Sequence, residues 1–89
     1  MVYLKSPIIL IAVGNRLREV RKEKGLTQED VAHKAGVAVS QVGRIERGKL
    51  NPSISTIFVI ALAMEVEPKE LFDFGETLVK KKSETKKKK

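Results

Sequence analysis

Two consecutive segments decide the fold of this 89-residue chain: "GLTQEDVAHKA" at residues 25–35 and "GVAVSQVGRIERG" at residues 36–48. In the first segment, Thr27 is a good N-cap residue, and Asp30 three positions later can return a hydrogen bond to it in a capping box. Gly36 can adopt the positive φ that ends a helix. The first segment therefore predicts a short helix that begins after Thr27 and ends at Gly36.

The second segment predicts another helix, over about residues 38–47, although its local support is weak. Apolar residues recur there at helical spacing and a glycine follows them: Val39, Val42, Ile45 and Gly48. Ala38 stands where a hydroxyl or amide cap is usual, and Gly43 lies in the middle of the segment. Each of these features lowers the stability of the helix by about 1 kcal/mol. This helix must therefore depend on packing against the rest of the domain.

The two helices predict a helix-turn-helix. Only Val37 lies between Gly36 and the second of them, so they cannot be antiparallel and must cross steeply. In the window from Gln28 to Arg47, Ala32 at the fifth position is small enough to let them cross closely. The apolar residues at the tenth, fifteenth and eighteenth positions should be buried: Val37, Val42 and Ile45. Five residues then remain on the outer side of the second helix: Val39, Ser40, Gln41, Arg44 and Arg47.

A further helix is predicted before this pair. Ser6 and Pro7 suit a helix start, and Gly25 can end the helix. Its apolar stripe consists of Leu10, Val13, Leu17 and Val20. Gly14 could mark a break, so residues 1–11 are either an apolar N-terminal arm or an extension of this first helix.

Two more helices are predicted after the pair. The fourth begins at the cap Ser53 and runs to about Met64, and the fifth begins near Pro68. The sequence thus predicts an all-α domain of five helices over residues 12–74. Residues 75–89 end in "KKKSETKKKK" and are predicted to be a flexible lysine-rich tail, because they carry too little apolar surface to bury.

The composition argues against several functions. The chain has no cysteine and one histidine, so disulfides, thiolate metal sites and histidine metal sites are not expected. We find no catalytic constellation, no cofactor motif and no evident site for a small-molecule effector, and we predict that the protein is not an enzyme. The apolar run at residues 7–13 is too short to span a membrane, so a cytoplasmic protein with no membrane partner is expected.

The charge is unevenly distributed. The net charge is +7, of which residues 80–89 contribute +6 through seven lysines and one glutamate. Within the remainder, residues 16–24 are basic and residues 65–76 are acidic. A domain with one basic side suits a polyanion partner, although an ordinary solvated surface explains the charge equally well.

The stretch "RLREVRKEKGLTQEDVAHKAGVAVSQVGRIERGKLNPS" at residues 16–53, with "ALAMEVEPKELF" at residues 61–72, resembles the helix-turn-helix domain of the phage lambda and 434 repressors, the Xre-type regulators. The similarity covers about residues 12–74. It implies a five-helix domain whose third helix enters the major groove of double-stranded DNA.

The resemblance also implies functional residues. The base-reading positions of the family fall on Val39, Ser40 and Arg44, with Gln41 at the edge of the groove. Gln28 matches a phosphate-binding position, and three residues that follow the reading helix are expected to contact the DNA backbone: Arg47, Lys49 and Asn51. Three of these residues also have a simpler interpretation. Arg44 and Arg47 can be ordinary charged residues on a solvent-exposed helix face, and Val39 can be an incidental exposed apolar residue.

An ion pair is implied between the first and third helices. In similar repressors an arginine of the first helix pairs with the glutamate of the "E-x-G" corner, and these positions fall on Arg21 and Glu46. We expect a largely buried, structural pair.

The fourth helix departs from the family because "ISTIFVIALAM" at residues 54–64 is apolar nearly all round. Such a helix needs a cover on every side. Either the N-terminal "PIIL" at residues 7–10 folds over it, or a second copy packs against it. We predict a homodimer in which Phe58, Val59 and Leu62 help to form its surface or the seat for the N-terminal arm.

These features together predict a dimeric repressor that binds a palindromic DNA operator. Two alternatives remain open: the antitoxin of a toxin–antitoxin pair, and a protein-interaction module that has kept this fold without reading bases.

Overall fold

A computed structural model describes residues 7–74 of the chain. Four α-helices follow one another: α1 (Pro7–Glu23), α2 (Gln28–Ala35), α3 (Val39–Glu46) and α4 (Ile54–Ala63). The fifth helical segment, Pro68–Phe72, is a short 3-10 helix rather than an α-helix. The described part of the chain contains no strand, and the predicted all-α fold is confirmed. The N-terminal residues 1–6 and the predicted flexible tail, residues 75–89, lie outside this part.

Helix α1 begins at Pro7 and continues through Gly14 without a break. Gly14 is buried, and its role is close packing. A Cβ atom at this position would overlap the carbonyl oxygen of Ile45 and lie 2.7 Å from that of Glu46. The backbone of α1 therefore touches the C-terminal end of α3, and only glycine allows this approach.

Helix α2 has the predicted capping box. The Asp30 N–H donates to Thr27 Oγ1 at 3.0 Å, and the Thr27 N–H donates to Asp30 Oδ2 at 2.9 Å. The hydrogen bond from the Thr27 backbone lowers the pKa of Asp30 below its ordinary value. At the other end, Gly36 has a φ of 73° and closes the helix, as predicted.

Helix α3 has no side-chain cap at Ala38, so packing must hold it in place. Val42 and Ile45 are 0% and 1% exposed, and they anchor the helix in the core. The largest fully buried side chains come from all four α-helices, the C-cap of α4 and the 3-10 helix: Leu17, Val31, Val42, Ile45, Ile60, Met64 and Leu71.

Helix α4 starts at its predicted cap, where the Thr56 N–H donates to Ser53 Oγ at 3.1 Å. After α4, the 3-10 helix is held against α1 by Arg16, whose Nε donates to the Glu70 carbonyl at 2.7 Å. None of the helices in residues 7–74 has the length and apolar character needed to cross a membrane.

Candidate DNA-binding surface

The outward face of α3 carries most of the predicted base-reading residues. Val39, Ser40 and Arg44 are exposed, while Gln41 is half-buried at the edge of the same face. Val39 keeps 42% of its surface exposed although it is apolar. Packing explains this division, because Val42 and Ile45 point into the core and turn the opposite side of α3, with Ser40 and Arg44, outward.

The predicted phosphate-binding residues lie at both ends of the helix-turn-helix. Gln28 is the first residue of α2 and is half-buried. Arg47 follows α3 directly, and Lys49 and Asn51 lie in the connection to α4, where all three are exposed. The backbone N–H groups at the start of α2 add partial positive charge beside Gln28.

Arg21 of α1 and Glu46 of α3 form a buried ion pair beneath this surface. Their side chains are 10% and 4% exposed. Arg21 also donates from Nη1 to the Leu26 carbonyl at 2.9 Å. Hydrogen bonding to Glu46 raises the pKa of Arg21 above its ordinary value, against the opposing effect of burial. Within residues 7–74, every buried side-chain nitrogen or oxygen atom has a hydrogen-bond partner.

Sequence reasoning missed one contact of this site. Gln28 Nε2 donates to Glu46 Oε1 at 2.9 Å, so the amide of Gln28 is fixed by the buried ion pair. The two residues are 18 positions apart, and no local pattern indicates the bond. For Gly14 a signal existed, because a glycine inside a helical pattern often marks a packing requirement.

The predicted dimer surface on α4 is largely accessible. Phe58 and Leu62 are 48% and 55% exposed, and Val59 is half-buried. Ile54, one turn before Phe58, is 87% exposed. Beside Phe58 lies an apolar groove of about 410 Å³, whose lining includes Ile9, Leu50, Ile54 and Phe72.

Comparison with known proteins shows which family the chain belongs to. A family model described as helix-turn-helix, HTH_3, matches residues 17–71. The chain belongs to this family. The resemblance to Xre-type repressors is thereby confirmed. As a member of the HTH_3 family, the chain is a DNA-binding helix-turn-helix protein, and its family includes transcription regulators.

Curated relatives of this HTH_3 chain include repressors and regulators. The immunity repressor protein of Bacillus phage phi105 is 39% identical over 70 residues, which is 79% of this chain and 48% of the relative. The HTH-type transcriptional regulator SinR of Bacillus subtilis is 39% identical over 62 residues, 68% of this chain and 56% of the relative. The chain thus spans about half the length of these two relatives.

One solved structure matches this chain over nearly its own whole length. The restriction-modification controller protein C.AhdI of Aeromonas hydrophila is 48% identical, with a TM-score of 0.69. The match covers 71% of this chain and 96% of the controller protein.

Proposed function

We propose that this HTH_3 protein is a dimeric transcriptional repressor that inserts α3 into the major groove of a palindromic operator. The observation that carries the proposal is the outward face of α3, where Arg44 stands exposed on a helix whose opposite side is buried and tied to α1. One relative is described as an immunity repressor, which supports repression rather than activation.

The base contacts follow from side-chain chemistry. The guanidinium of Arg44 binds guanine O6 and N7 together, as a planar fork of donors can do. Val39 packs against a thymine methyl group, and the hydroxyl of Ser40 donates or accepts. Gln41, at the edge of the face, binds an adenine edge or a phosphate.

The DNA backbone is bound by the residues around α3. Gln28, with the N–H groups at the start of α2, binds one phosphate group. Arg47, Lys49 and Asn51 also bind phosphate groups of the DNA backbone, and together these contacts set the register of the protein on the duplex. The lysine-rich tail at residues 80–89, which lies outside the described residues, adds counterion release on any DNA.

Dimerisation brings two reading helices onto one operator. A single domain reads one half-site, and a two-fold dimer reads two half-sites about one helical turn apart. The apolar side chains of Phe58, Val59 and Leu62 form the contact between the copies. This contact covers the exposed side of α4, which a lone domain leaves in water.

Selection of bound sequences from a random DNA pool tests the proposal. The wild-type protein should enrich two half-sites with two-fold symmetry and a guanine in each. Arg44→Ala should weaken binding by about 1–3 kcal/mol and relax the guanine preference. Lys69→Ala is the matched control, because it removes the charge of an exposed side chain in the 3-10 helix, and it should leave binding unchanged. An Arg44→Ala protein with wild-type affinity would favour the protein-interaction alternative.

A further inference from the structure

Gly43 lies in the middle of α3 at the junction of two predicted phosphate-binding side chains. It is buried, although it belongs to the helix that forms the reading surface. The point that a Cβ atom would occupy lies 3.2 Å from Arg47 Nη1 and 3.5 Å from Gln28 Oε1. The side chains of Arg47 and Gln28 therefore converge on the bare backbone of Gly43.

Arg47 reaches this point because of helix geometry. It follows Gly43 by four residues, and side chains of a helix lean toward its N-terminus, over the residue one turn earlier. With no side chain at position 43, the guanidinium rests against the helix backbone on the side of α2, next to Gln28. It is thereby held near the first turn of α2 while Arg47 as a whole remains exposed.

Gln28 reaches the same point because Glu46 fixes its amide. Glu46 Oε1 accepts from Arg21 Nη2 at 3.0 Å and from Gln28 Nε2 at 2.9 Å. The amide nitrogen of glutamine carries two hydrogens, so after the bond to Glu46 one hydrogen can still be donated to a phosphate oxygen. The buried ion pair therefore sets the position of a half-buried side chain at the edge of the proposed DNA-binding surface.

We propose that Gly43 is a positioning residue for DNA-backbone binding: its missing side chain lets Gln28 and Arg47 lie together and bind the same phosphate group. This inference rests on the proposed function and names how one part of that site is assembled. It also explains why α3 keeps a glycine, which is a poor helix former compared with alanine. The nearest atoms to a Cβ at position 43 belong to flexible side chains, so alanine fits the fold but displaces the guanidinium.

Gly43→Ala separates binding from stability. The melting temperature should be equal to or higher than that of the wild-type protein, because alanine favours the helix. Affinity for DNA should fall several-fold, and the slope of log K against log salt should decrease by about one, as expected for the loss of one phosphate contact. The selected operator sequence should not change, since no base-reading residue is altered. Asn15→Ala, an exposed substitution that also favours its helix, is the control and should leave DNA affinity unchanged.

A double variant shows whether Gly43 acts through Arg47. Gly43→Ala combined with Arg47→Ala should bind DNA about as weakly as Arg47→Ala alone, because both changes remove the same contact. A further loss in the double variant would overturn the inference, and so would a lower melting temperature of Gly43→Ala, which would make the glycine a packing requirement. If the wild-type protein binds DNA and Gly43→Ala binds equally well, the inference fails and the proposed function stands. A wild-type protein that binds no DNA overturns both.

Discussion

Arg21 and Glu46 join α1 to the end of α3 through two parallel hydrogen bonds, Nε to Oε2 at 2.6 Å and Nη2 to Oε1 at 3.0 Å. Glu46 is the last residue of α3, so the pair holds the C-terminal end of the proposed reading helix against α1. Because the same carboxylate accepts from Gln28, one buried group connects α1, α2 and α3. The pair thus fixes the end of α3 opposite to Ala38, which provides no side-chain cap.

Removing the charge of Glu46 should destabilise the protein strongly. Glu46→Gln leaves the buried guanidinium of Arg21 without a counter-charge, and the free energy of unfolding should fall by about 3–5 kcal/mol. Urea unfolding measures this change. Glu19→Gln is the control, because Glu19 pairs with Arg16 at the surface with 63% of its side chain exposed, and it should change stability by less than about 1 kcal/mol. A Glu46→Gln protein with the wild-type unfolding midpoint would contradict the structural role.

Gly14→Ala should be destabilising even though alanine is the better helix former. The new methyl group would press on the carbonyl oxygens of Ile45 and Glu46, which are backbone atoms and cannot rotate away. Overpacking of this kind costs about 1–3 kcal/mol. Thermal unfolding of Gly14→Ala is compared with that of Asn15→Ala, which lies one residue further along the same helix. This comparison separates the effect of packing from that of helix propensity. Equal stability of the two variants would mean that α1 and α3 do not approach as described.

The capping box of α2 should make stability depend on pH in the acid range. The folded-state pKa of Asp30 is lowered, so its contribution to stability is fully present above about pH 4 and is lost as the pH falls through the folded-state value. Asp30→Ala should therefore be less stable than the wild-type protein at pH 7, and the difference should shrink in acid.

The control for this experiment is Asp30→Asn, which keeps an oxygen that can accept from the Thr27 N–H but does not titrate. Its stability should vary less with acid pH than that of the wild-type protein. Parallel pH curves for the wild-type protein and both variants would show that Asp30 does not carry the effect.

A charge on the exposed face of α4 should disrupt the proposed dimer. Leu62→Glu places a carboxylate in the apolar contact. The free energy of dimerisation should weaken by about 2 kcal/mol or more, which corresponds to a roughly 30-fold higher dissociation constant of the dimer. Sedimentation over a range of concentrations measures the change. Lys24→Glu, an exposed substitution between α1 and α2, should sediment like the wild-type protein. An unchanged dimer for Leu62→Glu would rule out this surface.

The sequence by itself determined the features that depend on neighbouring residues. Thr27 and Asp30 are three residues apart and specify the start of α2, and Gly36 ends it because glycine tolerates a φ of 73°. The helical spacing of Val42 and Ile45 predicted which side of α3 is buried, and hence that Arg44 faces outward. Each of these signals acts within one or two helical turns, so the order of residues is sufficient to read it.

Only the tertiary structure decided how distant residues meet. The sequence left open whether Gly14 interrupts α1, because its neighbour across the interface is the backbone of Ile45 and Glu46, which α1 approaches only when the helices are packed. The bond between Gln28 and Glu46 likewise depends on how α2 crosses α3. Local propensity also did not distinguish an α-helix from the 3-10 helix at Pro68–Phe72, a five-residue segment held by Arg16 of α1. Each of these features involves a contact between segments distant in sequence, and such contacts exist only in the assembled domain.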